Sequence, residues 1–557
     1  MNDPTCYKQI NRDPTSTIQQ KANKLVMSLK NDSLIDQTTA RRLTIYNSRP
    51  ARFYGLPKIH KPQLTLRPII SSISCPNSGI AQHLTDVLTA AYNKDNRYFT
   101  GDSFTFASFI NNFSVPENFV LVSFDVTSLF TNIPLELVVD SIQKHWNTIS
   151  QNTEITLQRF VELTSFVFDT TVFSFQDRYY KQIFGTPMGS VISPIVAQYV
   201  MDDVLDKVVD GLPFHIPFLK KYVDDIITAV PANLIDETLH IFNSIHNKIQ
   251  FTTETESNCS VPFLDMLVIR EGTSIMTDWY IKPTASGRYI SFHSFHSMKM
   301  KINVILNMKN RVMRLSHPIY QLNNLKKLVD IMRENSFPLP LLNKLIYSTN
   351  NERSTTTDQQ HTNSIQEPGA ATEGLLTSPS IYKTIPHVEG LSNRLIAVLS
   401  RIPGVKVALQ NKKTIKDLYS RLKDRTSLLQ QSNVVYSVPC SDCDMVYIGQ
   451  TSRTVSSRIT SHKSDTRTKK SSCQLAIHAN QLGHSMNYDD IKILDSQINT
   501  KKRTFLEMVR IAQSDKAMNS RKDIEGLSSI YTYLINLDKQ LKTARTIDGG
   551  MLDVSMA

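Results

Sequence analysis

The sequence predicts a mixed α/β (α+β) chain built as two compact units. Three observations carry that expectation. Between about residues 40 and 345, strand-like apolar runs such as FVLVSFDV and PFLDMLVIR alternate with helical spacings. The stretch Ser348 to Gly374, STNNERSTTTDQQHTNSIQEPGAATEG, is rich in Ser, Thr, Asn and Gln and poor in core residues, the composition of a flexible linker. A second compact unit runs from NVVYSVPC to about residue 535, and 557 residues are too many for one core.

Composition narrows the partners. Lys plus Arg outnumber Asp plus Glu by 62 to 50, a net charge of +12. That excess favours a polyanion, nucleic acid being the commonest, although it equally suits a soluble basic protein. No apolar run is long enough to span a bilayer and the start, MNDPTCYKQINRDPTS, is polar. A place inside the cell, with no membrane partner, is therefore expected. The six cysteines are too scattered for a disulfide framework, and only Cys440 and Cys443 are spaced for joint work. Between 375 and 430, helical spacing returns with many cations, among them Arg394, Arg401, Lys406, Lys412, Lys413 and Lys416. This reads as a basic helical linker, its cations suiting either a solvated face or phosphate contact.

The chemistry begins at KKYVDDIITAV, Lys220 to Val230, where Asp224 and Asp225 stand side by side in an apolar run. Burying an unpaired carboxylate is costly, so such a pair either lies in a solvated turn or holds a cation. FLKKYVDDIITAV reads as two strands folded back on each other, with both aspartates at the bend. Upstream, the strand FVLVSFDV carries Asp125 near its end. If that strand lies beside the hairpin, three carboxylates converge, and such a set suits Mg²⁺ with substrate phosphates. Two such ions about 4 Å apart form the usual clamp for in-line attack at phosphorus.

In their order, four segments resemble the motifs of reverse transcriptases. YVDD, with Tyr222, resembles the catalytic box. SFDVTSLFTNIP resembles the first aspartate motif, with Phe130 in the position that screens the sugar 2′ group. FGTPMGSVISPIVAQ, with Gly185, Pro187 and Gly189, resembles the loop and helix lining the nascent pair. YGLPKIHKPQLTLRPIIS resembles the fingers segment, whose Lys58, Lys61 and Arg67 would face the incoming triphosphate. Glycine allows close backbone approach, arginine forks onto phosphate, and a bulky ring clashes with a ribose hydroxyl. Taken singly, these residues are more often a turn or a core ring. YGLPKIHK together with FLDMLVIREG is similar to the reverse transcriptases of Penelope-like retroelements.

That family joins its polymerase to a GIY-YIG endonuclease, and VVYSVPCSDCDMVYIGQTSRTVSSRITSHK resembles that nuclease. Tyr436 stands for its first tyrosine, and Tyr447 with Gly449 for its second tripeptide. The first tripeptide departs from the family, reading Val434-Val435-Tyr436. A helix starting near Thr454 would set Arg458 and His462 on one face. Glu507, in RTFLEMVRI, and Asn519, in AMNSR, complete the set. The resemblance implies phosphodiester hydrolysis, with a tyrosine orienting water, Arg458 steadying the phosphorus and Glu507 binding one divalent ion.

By spacing, Cys440 and Cys443 with His478 and His484 fit either a zinc site or two thiols and two surface histidines. The family's Cys-Cys-His-His set implies structural zinc, with Cys473 as a spare ligand.

The resemblance implies a right-hand polymerase with fingers and palm over 1–285 and thumb over 286–345. A linker over 346–430, the nuclease over 431–535 and a tail over 536–557 would follow. The thumb would use the basic helix SMKMKINVILNMKNRVMRL against a template-primer backbone. Partners implied are template RNA, DNA primer and target DNA, and deoxynucleoside triphosphates, with work in the nucleus. The alternative of another class is an inactive nucleic-acid-binding relic. Relatives also carry an Asp-Lys-Gly stretch before the fingers that has no match here.

Overall fold

The computed structural model describes residues 4–58, 65–347, 381–410 and 426–548. Lys61 and the 348–374 stretch lie outside the described residues, as do Lys412, Lys413 and Lys416.

The first unit is organised around a four-stranded antiparallel sheet in the order Leu219–Tyr222, Asp225–Pro231, Phe119–Val126, Phe251–Thr255. Its central strand reads DIITAVP and is buried from Ile226 onward, because both faces are covered. One face carries a core that includes Phe124 stacked on Phe242, centroids 4.2 Å apart, together with the helix Ser193–Gly211. Pro194 opens that helix, where its missing N–H costs nothing. The other face joins a second core with the three-stranded sheet Ser260–Phe263, Met266–Glu271, Ser274–Trp279 and with later helices. A five-stranded sheet includes Ala51–Lys58 paired antiparallel with Thr65–Ser71, and draws two more strands, Val172–Phe175 and Arg178–Gln182, from the segment between Phe119–Val126 and Leu219–Tyr222.

Three helices follow, Met298–Leu315, Pro318–Glu334 and Leu339–Tyr347. The first carries five cations, Lys299, Lys301, Lys309, Arg311 and Arg314. Lys301 is buried over the Phe292 ring, Arg311 pairs with Asp265, and Arg314 stacks 4.0 Å from the centre of Phe104. Those three are engaged within the protein, their stems covering apolar surface, although Arg314, like Lys299, remains exposed.

The basic helical linker is corrected. Ile381–Pro386 pairs in parallel with Val405–Gln410, with the helix Ser392–Leu399 between them. IYKTIP and VKVALQ are rich in β-branched and aromatic residues, a strand composition that the count of cations obscured. Parallel neighbours need a crossover, and residues 387–404 supply it.

The last unit has a three-stranded antiparallel sheet in the order Val446–Thr451, Val434–Pro439, Lys492–Ser496. Helices Val455–Arg467, Gln474–Leu482 and Thr500–Gln513 accompany it. Thr454 caps the first through its side chain, fixing the start expected from sequence. Among the described residues, no helix is long and apolar enough to cross a membrane.

Two candidate active sites

Asp125 and Asp225 are directly paired across adjacent strands. Asp224 sits in the two-residue turn between Tyr222 and Asp225, preceded by Val223 at φ +60°. A β-branched residue in the left-handed region is strained by about 1–3 kcal/mol, and opposed like charges are destabilising. The hairpin thus pushes three carboxylates together at local cost. Burial pushes Asp225 up to about 6, helped by the charges of Asp224 and Asp125 and opposed by Lys282. Asp224 is also raised, by burial first and then by Asp125, with Arg67 opposing. Arg67 and Lys282 oppose these shifts without cancelling them, and three convergent carboxylates suit a divalent cation.

The carboxylates open onto a cavity of about 1140 Å³. Lys58, Arg67, Phe130, Gly189 and Tyr222 line it as well. The register Lys58↔Thr65 and Leu56↔Arg67 places Lys58 and Arg67 on one face of their strand pair. Gly185 and Pro187 are not on the wall; they shape the loop behind it. Gly185 has φ +75°, and a Cβ there would lie 2.3 Å from the Thr131 carbonyl oxygen. That close approach lets Thr186 N–H and its hydroxyl both donate to the Phe130 carbonyl, at 2.6 and 2.7 Å, fixing the ring's backbone. Gly189, at φ +113°, would meet the Ile70 carbonyl oxygen at 2.5 Å, so the same loop is locked to the strand Thr65–Ser71.

Two lysines were missed. Lys282 lines the cavity beside Asp225 but lies past the last strand of its sheet, where no periodicity points to it. Lys221 is fully buried and joins the hairpin to the Ser193–Gly211 helix through Asp202, at 2.9 Å, and Gln198. In the sequence, KK before YVDD resembles a solvated pair.

In the second unit, Tyr436↔Gly449 and Val438↔Tyr447 are the cross-strand pairs. Both tyrosines therefore share one face. A Cβ at Gly449 would lie 2.8 Å from Tyr447 and 2.9 Å from the Tyr436 hydroxyl, so only glycine leaves room for both rings. His462 Nε2 lies 2.6 Å from the Tyr436 hydroxyl, and Arg458 Nε donates to that hydroxyl at 3.3 Å. Burial pushes Tyr447 up to about 12, and burial with the Arg458 charge brings His462 down to about 4. Glu507 is pushed up to about 7 by burial, with the Gln450 backbone N–H opposing.

Tyr436 and His462 are both 0% exposed, so spacing placed them on the expected face but at a depth it could not show. Asn519 accepts from Ile448 N–H at 3.0 Å and donates to the Ile448 carbonyl at 2.8 Å. It clamps the strand between Tyr447 and Gly449, which makes it a positioning residue. Arg503, also missed, is 1% exposed and ties Gln450, Asn433 and the Gln497 carbonyl together four residues before Glu507.

The ligand atoms of Cys440, Cys443, His478 and His484 lie within 4.8 Å of one another. Sulfur–nitrogen separations of 3.4 to 3.6 Å and a nitrogen–nitrogen separation of 3.3 Å are found. A tetrahedral zinc with ordinary bond lengths requires edges of about 3.5 and 3.3 Å, so the residues fit that ion. Cys473 is not part of this quartet; its Sγ is 3.6 Å from His462 Nδ1. It groups instead with His462 and Asp465, whose ligand atoms and its own lie within 4.8 Å of one another.

Residues 59–254 match the profile of the reverse transcriptase (RNA-dependent DNA polymerase) family. Residues 288–347, which include the helices Met298–Leu315, Pro318–Glu334 and Leu339–Tyr347, match that of the animal helix-turn-helix domain. The chain therefore carries a reverse transcriptase domain followed by a helix-turn-helix domain. No curated protein matches it significantly.

Among solved structures, telomerase from Candida albicans with a TWJ fragment of telomeric RNA is 12% identical, with a TM-score of 0.40, over 61% of this chain and 62% of that one. Apo telomerase from Candida tropicalis is 12% identical, with a TM-score of 0.35, over 59% and 62%. The BmCPV RNA-dependent RNA polymerase at elongation state is 13% identical, with a TM-score of 0.34, over 59% and 30%. The chain thus spans about six tenths of those telomerases and three tenths of the viral enzyme.

Proposed function

We propose that the chain is an RNA-directed DNA polymerase of a Penelope-like retroelement, linked to a GIY-YIG endonuclease that nicks target DNA and frees a 3′ hydroxyl for copying the element's RNA. The observation that carries the polymerase reading is the convergence of Asp125, Asp224 and Asp225 in one cavity with Lys58, Arg67 and Phe130. Asp125, Asp224 and Asp225 would hold Mg²⁺. The chemistry a bound ion pair supplies is activation of the primer hydroxyl and neutralisation of the leaving group. Arg67 and Lys58 bind the triphosphate as a fork and a point charge. Phe130, its backbone locked by Thr186, excludes the ribose 2′ hydroxyl. Target-primed coupling, and work in the nucleus, rest on the family resemblance.

The nuclease reading is supported by the shared face of Tyr436 and Tyr447, with Arg458 and Glu507 beside them. Tyr447 and Arg458, both partly exposed, meet the scissile phosphate, and Glu507 would hold a divalent ion whose chemistry is polarisation of that phosphate. The Cys440, Cys443, His478 and His484 quartet would hold zinc, cross-linking the hairpin after Pro439 to the helix Gln474–Leu482.

Phe130→Val is expected to raise ribonucleotide incorporation relative to deoxynucleotide by about tenfold or more, since a pocket that rejects one group by clash discriminates by about 1–3 kcal/mol. Competing ATP against dATP in primer extension checks it. Mg²⁺ must displace any proton on Asp225, so affinity should be level above about pH 7 and fall as pH drops through about 6. Metal titration calorimetry at stepped pH would find no such fall if the carboxylates were not ligands. Gly449→Ala should destabilise the second unit by about 1–3 kcal/mol through overpacking and lower nicking, with extension unchanged. Thermal unfolding and plasmid nicking measure both. A primed RNA template with deoxynucleotides and Mg²⁺ tests the polymerase reading, and a supercoiled plasmid with Mg²⁺ tests the nuclease.

A further inference from the structure

Cys473 lies outside the Cys440, Cys443, His478 and His484 quartet; its sulfur is instead within 4.8 Å of ligand atoms of His462 and Asp465, and it is buried against the least accessible part of the second site. The Tyr436 hydroxyl, fully buried, has two polar neighbours within hydrogen-bond reach: Arg458 Nε at 3.3 Å and His462 Nε2 at 2.6 Å. Arginine can only donate, so it occupies a lone pair of the tyrosine oxygen. The hydroxyl's own proton then has His462 Nε2 as its acceptor, which requires that nitrogen to be bare. Burial and the Arg458 charge hold the His462 ring neutral near pH 7, so it carries one N–H. With Nε2 bare, that hydrogen is on Nδ1, and Cys473 Sγ lies 3.6 Å away. The opposite tautomer would aim two donors at the tyrosine oxygen and leave a buried hydroxyl proton without an acceptor.

We infer that Cys473 is a positioning residue: its sulfur accepts the Nδ1–H of His462 and keeps Nε2 bare and aimed at the Tyr436 hydroxyl. Asp465 is the charged group near the far side of the same ring, while Arg458 and the two tyrosines face its near side. The role of this contact in nicking rests on the nuclease reading; the hydrogen bond itself does not. Thiol and imidazole are held by separate helices, since Cys473 is the residue just before Gln474–Leu482 and His462 lies within Val455–Arg467. The contact therefore also sets how those helices meet beneath the tyrosines.

The test uses the full chain with ¹⁵N-labelled histidine, the His462 signals being those lost in His462→Gln. In the native protein, solid-state ¹⁵N spectra should show Nδ1 protonated and Nε2 bare. Cys473→Ser, which keeps an acceptor, should preserve that tautomer, and Cys473→Ala should mix the two. Supercoiled-plasmid nicking should fall by about tenfold or more in kcat for Cys473→Ala, with KM unchanged, and stay within about threefold for Cys473→Ser.

Protonated Nε2 in the native protein overturns the inference, as does an unaltered tautomer in Cys473→Ala. Equal loss of kcat in both variants would reduce Cys473 to packing and overturn it too. Loss of an equivalent of bound zinc in Cys473→Ala would make the residue a ligand instead and also overturn it. A native protein that shows the Nδ1–H tautomer but never nicks supports the hydrogen bond and sinks only the nuclease reading.

Discussion

Replacing Asp224 and Asp225 together with asparagine is expected to abolish RNA-templated primer extension, by on the order of 10³-fold or more. Metal-held charge at a transferring phosphoryl group stabilises the transition state by several kcal/mol, and each 1.4 kcal/mol or so is a factor of ten. The variant should not lose stability when metal is absent. Asp125 and Asp225 face each other directly, and burial and mutual repulsion already raise Asp224 and Asp225. Asparagine keeps the shape and removes the repulsion, so the metal-free thermal midpoint should hold or rise. Template binding should also persist, because Lys58 and Arg67 are untouched. An extending variant would mean that the carboxylates do not hold the catalytic metal. A variant that fails to fold would show as a lowered midpoint and would contradict the account of strain relieved.

Glu507→Gln carries the second large effect, a loss of plasmid nicking by about 10²–10³-fold, the usual cost of removing one preorganised charge-stabilising group. Glutamine fills the same volume and can still accept from the Gln450 N–H, so the helix should remain in place. Arg503, buried behind it and bound to Gln450 and Asn433, secures that helix independently of the carboxylate. The native activity should climb as pH rises through about 7, because the protonated carboxyl cannot ligate a cation. Glutamine has no such proton to lose, and residual nicking should be flat across that range. Extension on a pre-annealed primer should match the native rate in this variant. Nicking by Glu507→Gln at the native rate would remove Glu507 from the site.

The aspartates and tyrosines were legible because strand alternation and short connections fix which residues become neighbours. Asp125 pairs with Asp225 as the hairpin reading required, and the antiparallel register brings Tyr436 and Tyr447, eleven residues on, to one face. The mixed α/β class followed from the same periodicity. What stayed hidden depends on tertiary packing. Lys282 enters its cavity from an irregular segment, and Lys221 looks like surface charge until Asp202 closes over it. The strands within 375–430 stayed hidden because its cations outweighed the β-branched residues of IYKTIP and VKVALQ. The burial of His462 and the clamp made by Asn519 could not be read from spacing, since spacing gives a face and not a depth.

That one chain carries two separable phosphoryl-transfer centres is tested most directly with a supercoiled plasmid, an RNA template, labelled deoxynucleotides and Mg²⁺ in one tube. The native chain should open the plasmid and synthesise DNA. Glu507→Gln should leave the plasmid closed yet extend a supplied primer, and Asp224→Asn with Asp225→Asn should open the plasmid without synthesis. Loss of both activities in either variant, or of neither, would contradict two independent centres.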